Sequence, residues 1–252
     1  MSQYVRLERI EDVLSVVLDR PNKKNALNRD MYCALTEALA AAQQDQSIRV
    51  VVFSGEGADF TAGNDLGDFL NFSESPETFP ALTFVRALAL FSKPIVAAVT
   101  GAAIGIGTSM LFHCDLIFAS SETVFSMPFI NLGLVPEAGV SLLAPSRLGM
   151  ARAAQALLLG EAFSAHQALE MGLVNAVTSI EDVKIMAMEA SLKLAAKDPF
   201  ALNAARRLMR GEPEKLLAQI DKEAELFVLA LQRPSTQARL AAFLGGKGSL
   251  LR

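Results

Sequence analysis

The chain has 252 residues, 52% of them apolar and 20% charged, with a net charge of −4. That is enough apolar material for one large packed domain, or a domain with an appendage, and the mild acidity excludes the broad positive field of a nucleic-acid or anionic-membrane binder. Two distant cysteines (Cys33 and Cys114) make no disulfide framework, and two isolated histidines (His113 and His166) make no metal site, so neither is expected.

The first residues lack the basic and apolar regions of a signal peptide, and the expected location is the cytoplasm. Tyr4–Ile10 and Val13–Asp19 read as two strands about a turn at Glu11-Asp12. Arg20 to Asn25 is a loop, because Pro21 and the asparagines stop the strand. Asn28 then suits the N-cap of a helix to about Gln44, with Met31, Leu35 and Leu39 on one stripe. Arg49–Ser54 is a buried strand and Gly55 to Gly67 a glycine-rich loop. A helix over Phe79–Phe91 and a strand over Pro94–Thr100 follow. Gly101 to Gly107 is predicted to turn into a helix ending near His113, and Asp115–Ala119 is the next strand.

The stretch Pro94 to Phe112 has no charged residue and approaches membrane-spanning length. Pro94, Thr100, the glycines, Thr108 and Ser109 break it into strand, turn and helix, so a buried α/β segment is expected. Alternating strands and helices imply parallel, right-handed crossovers. Beyond about Arg147 the pattern is helical: Ala151–Leu159, Ala165–Met171, Ile180–Lys197, Phe200–Arg210, Pro213–Gln232 and Ser235–Leu244. The expected division is an α/β domain over 1–192 and a helical region over 193–252.

Three segments bear on chemistry. In Gly57 to Leu66 a buried strand leaves through small residues, which lets backbone N–H groups face outward; an ordinary surface turn reads the same way. In Ala98 to Ser109 a strand ends in a glycine-rich turn that opens a helix, whose free N–H groups suit a developing oxyanion. Tight helix–strand packing is the plain alternative. A phosphate loop is excluded because GxxxxGK[ST] is absent, and a dinucleotide fingerprint because Met110 stands at its last glycine. In the third segment, Phe125 to Gly139, Glu137 is the one carboxylate of a long uncharged run from Thr123 to Ser146. Such a residue is either functional or a dipole-complementing Glu behind Pro136.

Arg20-Pro-Asn-Lys-Lys-Asn-Ala-Leu27, Ala62-Gly-Asn-Asp-Leu66, Gly101-Ala-Ala-Ile-Gly-Ile-Gly107, Cys114-Asp-Leu-Ile-Phe-Ala119, Pro128-Phe-Ile-Asn-Leu-Gly-Leu134 and Ala168-Leu-Glu-Met-Gly-Leu-Val-Asn175 stand in one order. That ordered set, spread over roughly Arg20 to Val177, resembles the crotonase (enoyl-CoA hydratase/isomerase) family. The resemblance implies an α/β, crotonase-like spiral of ββα units followed by a C-terminal helical oligomerisation region. It implies an acyl-coenzyme A thioester as substrate and no cofactor beyond the coenzyme A that the substrate carries; from the charge balance and the broken apolar run, neither membrane nor nucleic acid is expected as partner. It assigns the two oxyanion-holding N–H groups to Asn64 and Ile106; family members often have glycine at the second place, but the donor is backbone. It brings Lys24, Ala26, Ala62, Asn64, Asp65, Leu66, Ile106, Ser109, Phe129, Phe243 and Lys247 to the substrate and its coenzyme A.

Hydratases of the family use two glutamates to handle water, and Ser109 and Phe129 occupy those places here. Glu137, within Asn-Leu-Gly-Leu-Val-Pro-Glu, instead matches the single glutamate of Δ3,Δ2-enoyl-CoA isomerases. The expectation is a 3-enoyl to 2-enoyl isomerase of fatty-acid degradation with Glu137 as base. The alternatives are hydration or other enolate chemistry on acyl-CoA, and acyl-CoA binding without turnover. A homo-oligomer, trimer or hexamer, is expected from apolar positions Leu216, Leu217, Ile220, Phe227 and Leu231.

Overall fold

The computed structural model describes residues 2–70 and 79–246. Strands β1 (Val5–Ile10) and β2 (Val13–Leu18) form the antiparallel hairpin expected, and helix α1 (Arg29–Gln44) starts where Asn28 Oδ1 accepts the Met31 N–H at 3.0 Å. Next come β3 (Val50–Gly55), α2 (Pro80–Leu90), β4 (Ile95–Val99) and β6 (Leu116–Ser120), with β5 (Ala102–Ile104) and α3 (Ile106–Ser109) between the last two. The second half adds β7 (Val124–Ser126), α4 (Val140–Leu148), α5 (Met150–Ala154), β8 (Phe163–Ser164), α6 (Ala165–Glu170), β9 (Ala176–Thr178) and α7 (Val183–Ala195). Helices α8 (Pro199–Arg210), α9 (Glu214–Leu231) and α10 (Pro234–Leu244) close the described chain. The division expected at 192/193 falls inside α7.

The larger sheet has six strands in the order β1-β2-β3-β4-β6-β9, parallel except for the first pair. Its central strands are mostly apolar because both faces are covered, and the two-residue period divides them. Val51, Phe53, Ile95, Ala97 and Val99 face the main core with α1 and α2; Val50, Val52, Val96 and Ala98 face a second cluster under α7. The uncharged stretch from Pro94 to Phe112 is thus β4, β5, α3 and a following turn, and no described helix is long and apolar enough to cross a membrane.

Several details differ from the sequence expectations. The helix anticipated up to His113 is only α3 plus a 3₁₀ turn, Met110–His113, so little aligned dipole stands behind it. Strands β5, β7 and β8 form a second, three-stranded sheet that the pattern did not predict. Ile220, Phe227 and Leu231 of α9 are buried within the chain and are not offered to a partner. The apolar surface lies on α8 instead, where Phe200, Leu208 and Met209 are 83%, 84% and 87% exposed.

Candidate active site

The two glycine-rich segments are sewn together. Thr61 N–H donates to Ala102 O at 2.9 Å and Ile104 N–H to Thr61 O at 3.0 Å, a parallel bridge that extends β5 sideways. On the other side, Leu27 N–H donates to Gly63 O and Asp65 N–H to Leu27 O, each at 2.8 Å. The loop before Leu27 is anchored by buried Asn25, whose amide donates to Glu56 O at 2.9 Å and Asp59 O at 2.7 Å. Arg20 pairs with Asp65 at 2.7 Å, which closes this frame.

Within it, Gly63 has φ +90°, and a Cβ there would lie 2.5 Å from Ile104 O. Only glycine lets the chain turn at that point and pass so close to β5. The turn frees the next amide: among the described residues, no acceptor faces the Asn64 N–H. Ile106 is the first residue of α3, so its N–H has no partner inside the helix.

Glu137 sits on a tight turn, with Ala138 at φ +65° and Gly139 at φ +72°. Two groups hold the turn. His113 Nε2 is 2.8 Å from Ala138 O; burial lowers its pKa to about 4, so the ring is neutral and that nitrogen donates its proton. From α9, the buried Glu223 carboxylate accepts Gly139 N–H at 2.6 Å, Ser141 N–H at 2.9 Å and the Ser141 hydroxyl. The Glu137 side chain enters a small apolar cavity of about 30 Å³, lined by Phe79, Leu82, Val85, Ile220 and Phe227 and shared with Glu223. Burial raises its pKa to about 8; a hydrogen bond from Asn64 Nδ2 to Oε1 at 3.0 Å opposes the rise, and the Glu223 charge adds to it. The Asn64 Oδ1 in turn accepts the hydroxyl of buried Tyr32.

A cleft of about 560 Å³ adjoins this cavity. Of the residues singled out from the sequence, Lys24, Ala26, Ala62, Asn64, Asp65, Leu66, Phe129 and Phe243 line it. Asp65 is occupied by Arg20, and its other oxygen accepts Gly67 N–H at 3.2 Å. The Ile106 side chain is buried in the core, whereas Gly105 before it lines the cleft. Ser109 is buried behind the wall, its hydroxyl donating to Gly105 O at 3.1 Å. Lys247 lies outside the described residues. Glu137 is set one step back: Phe227 lines both spaces, and Asn64 joins them by reaching from the cleft to the carboxylate. Tyr32 and Glu223 were not singled out from the sequence. Tyr32 falls on the core face of α1 and Glu223 among the many charges of α9, so neither position carries a signal of its own.

A carboxyl with its pKa raised to about 8, hydrogen-bonded to a residue whose own N–H is unpaired among the described residues, suits proton transfer next to a carbonyl whose oxygen gains charge. Residues 8–247 match the enoyl-CoA hydratase/isomerase family. The chain is 34% identical over 248 residues to 2,3-dehydroadipyl-CoA hydratase of Escherichia coli (strain K12), covering 97% of this chain and 96% of that one. It is 35% identical over 219 residues to enoyl-CoA delta isomerase 2 of Rattus norvegicus, covering 84% of this chain and 56% of the longer relative. A solved structure of Pseudomonas aeruginosa OdaA superposes with a TM-score of 0.93 at 43% identity, covering 96% and 99% of the two chains.

Proposed function

The chain belongs to the enoyl-CoA hydratase/isomerase family, and from that premise we propose that this enzyme moves a 3-ene of an acyl-coenzyme A thioester into conjugation at the 2-position, with Glu137 as the single base. One observation supports this reading above others: Glu137 is a buried carboxyl with its pKa raised to about 8, hydrogen-bonded to Asn64, a cleft residue whose own N–H has no backbone acceptor among the described residues. The carboxylate takes a proton from C2. The electron pair moves through the carbonyl to its oxygen, giving a dienolate that accepts hydrogen bonds from the Asn64 and Ile106 N–H groups. The same carboxyl returns the proton to C4, and the 2-enoyl thioester forms with no net change in atoms or electrons. The cleft lined by Lys24, Ala26 and Phe243 takes the coenzyme A.

The E. coli relative is a hydratase by name, which favours hydration as the second reading. Against it stand Ser109 and Phe129, neither of which can activate water as a carboxylate does. The two are separated by assay with trans-3-hexenoyl-CoA and crotonyl-CoA. Isomerisation is expected to exceed hydration by at least about 100-fold, the usual worth of a positioned acid–base group; comparable rates would refute the isomerase reading. Because the base acts ionised, kcat/KM should fall as pH drops through about 8.

The enzyme is further proposed to assemble with three-fold symmetry through the exposed apolar face of α8. Light scattering at micromolar concentration should give a multiple of three chain masses, and Leu208→Glu together with Met209→Glu should lower it. A stable native monomer would remove this part of the reading.

A further inference from the structure

We propose that Tyr32 and the Asn64 side chain are positioning residues that orient the Glu137 carboxyl, fixing Oε1 and leaving Oε2 as the oxygen that carries the proton. The inference rests on Glu137 being the base. It concerns how that base is held, which the family resemblance leaves open.

An asparagine amide has an accepting end and a donating end, and its orientation follows from its neighbours. Here the neighbours are a phenol on one side and a carboxylate on the other. With the Tyr32 hydroxyl donating to Oδ1, the Nδ2 hydrogens must face Glu137. That arrangement suits an ionised carboxylate, which only accepts. In the flipped arrangement Oδ1 would face the carboxylate, which is tolerable only when Glu137 is protonated and donates. Tyr32 therefore biases the amide toward the form in which the base is ready to act. Its phenol does not compete for the role of acid or base, since burial, and then the nearby Glu137 charge, push its pKa well above the ordinary value.

Asn64 also lines the cleft, and its main-chain N–H has no backbone acceptor among the described residues. Base and oxyanion hole are thus fixed by two ends of one residue. Since Oε1 is engaged by Nδ2, a proton taken from C2 goes to Oε2, and the same oxygen returns it to C4.

The other groups facing Glu137 bear on its titration. From α9 the Glu223 carboxylate disfavours ionisation of Glu137. From the turn after α3, neutral His113 touches the adjacent carbonyl. Asp68, in the turn following Asn64, acts on Tyr32. The α2 residues on the shared cavity, Ala81, Leu82 and Val85, are apolar. Among these described groups, Asn64 is the one that favours the ionised form by a hydrogen bond.

The test uses the full chain with trans-3-hexenoyl-CoA. In Tyr32→Phe and in Asn64→Leu, the acid limb of the kcat/KM profile should move up by about one pH unit. In both, kcat at pH 7 should fall about tenfold, the equivalent of that shift, with KM changed less than about twofold. Carbon-13 NMR titration of the Glu137 carboxyl in the free protein should show the same upward shift, and it reads the effect without turnover. If Tyr32→Phe does not fold, Asn64→Leu gives the same reading. A fall in kcat with an unmoved acid limb and an unmoved carboxyl titration would leave both residues a packing role only and overturn the proposal. Glu137→Gln keeps the two failures apart: if it is inactive while Tyr32→Phe and Asn64→Leu leave the profile unmoved, only this inference fails; if it retains turnover, the base assignment itself is lost.

Discussion

Glu137→Gln is expected to lower isomerase turnover by at least about 100-fold while acyl-coenzyme A still binds. An amide of the same shape keeps the neighbours in place and cannot take a proton. The same change should make the protein more stable, in a pH-dependent way. The folded-state pKa of Glu137 is raised to about 8 from an ordinary 4.5, so the fold favours the protonated, neutral carboxyl. That preference contributes fully below about 4.5 and is lost as pH rises through about 8. Glutamine mimics the neutral form at every pH. The variant's gain in Tm over the parent should therefore be larger at pH 8.5 than at pH 5.5 by at least about 4 °C, given that about 1 kcal/mol moves Tm by 2–4 °C in a chain of this size. Calorimetry at the two pH values measures the gap. A variant that is fully active, or one that loses stability at pH 8.5, would contradict the picture of a base held against its own solvation.

Gly63→Ala is expected to cost more than its size suggests. The added Cβ would meet Ile104 O at 2.5 Å, and the glycine already has φ +90°. The left-handed conformation alone costs an alanine about 1–2 kcal/mol. The contact is with backbone that is itself tied into the bridge with Thr61, so relief requires the two segments to part. Parting them displaces Asn64, whose N–H is one of the two proposed oxyanion donors. Turnover should drop by at least about 100-fold, the scale of losing one oxyanion donor. Gly149 supplies the control: it has φ +79° and no heavy atom within 4 Å of the Cβ position. Gly149→Ala should destabilise by about 1–2 kcal/mol and leave turnover unchanged. If Gly63→Ala behaves no worse than Gly149→Ala, the close approach at Gly63 has no bearing on catalysis.

Much of the frame was legible in the sequence because its signals are local. β-branched runs gave β2, β3 and β4, Asn28 gave the start of α1, and the long helices α8, α9 and α10 followed from periodicity. The short strands β5, β7 and β8 were not legible. Two or three residues have no period to detect, and β5 lies inside a glycine-rich stretch that reads as a turn. The face that α9 presents was also misjudged. Its apolar positions were plain, but whether they meet this chain or another depends on long-range packing that the helix alone does not encode. At the site, Glu137 stood out as a lone carboxylate among apolar neighbours. Tyr32 and Glu223 did not, because their roles arise from contacts with residues 32 and 84 positions away.

The tether from Glu223 to the turn bearing Glu137 has a consequence for the order in which a newly made enzyme becomes active. Gly139 leaves the ribosome 84 residues before the glutamate that fixes it. At about 5–20 residues per second, the central sheet has seconds to assemble while its reactive turn waits for α9. During that interval the turn that carries Glu137 has the His113 contact but lacks the one from Glu223. With Glu137 in the proposed role, activity is expected late in synthesis, with the helix that secures the turn.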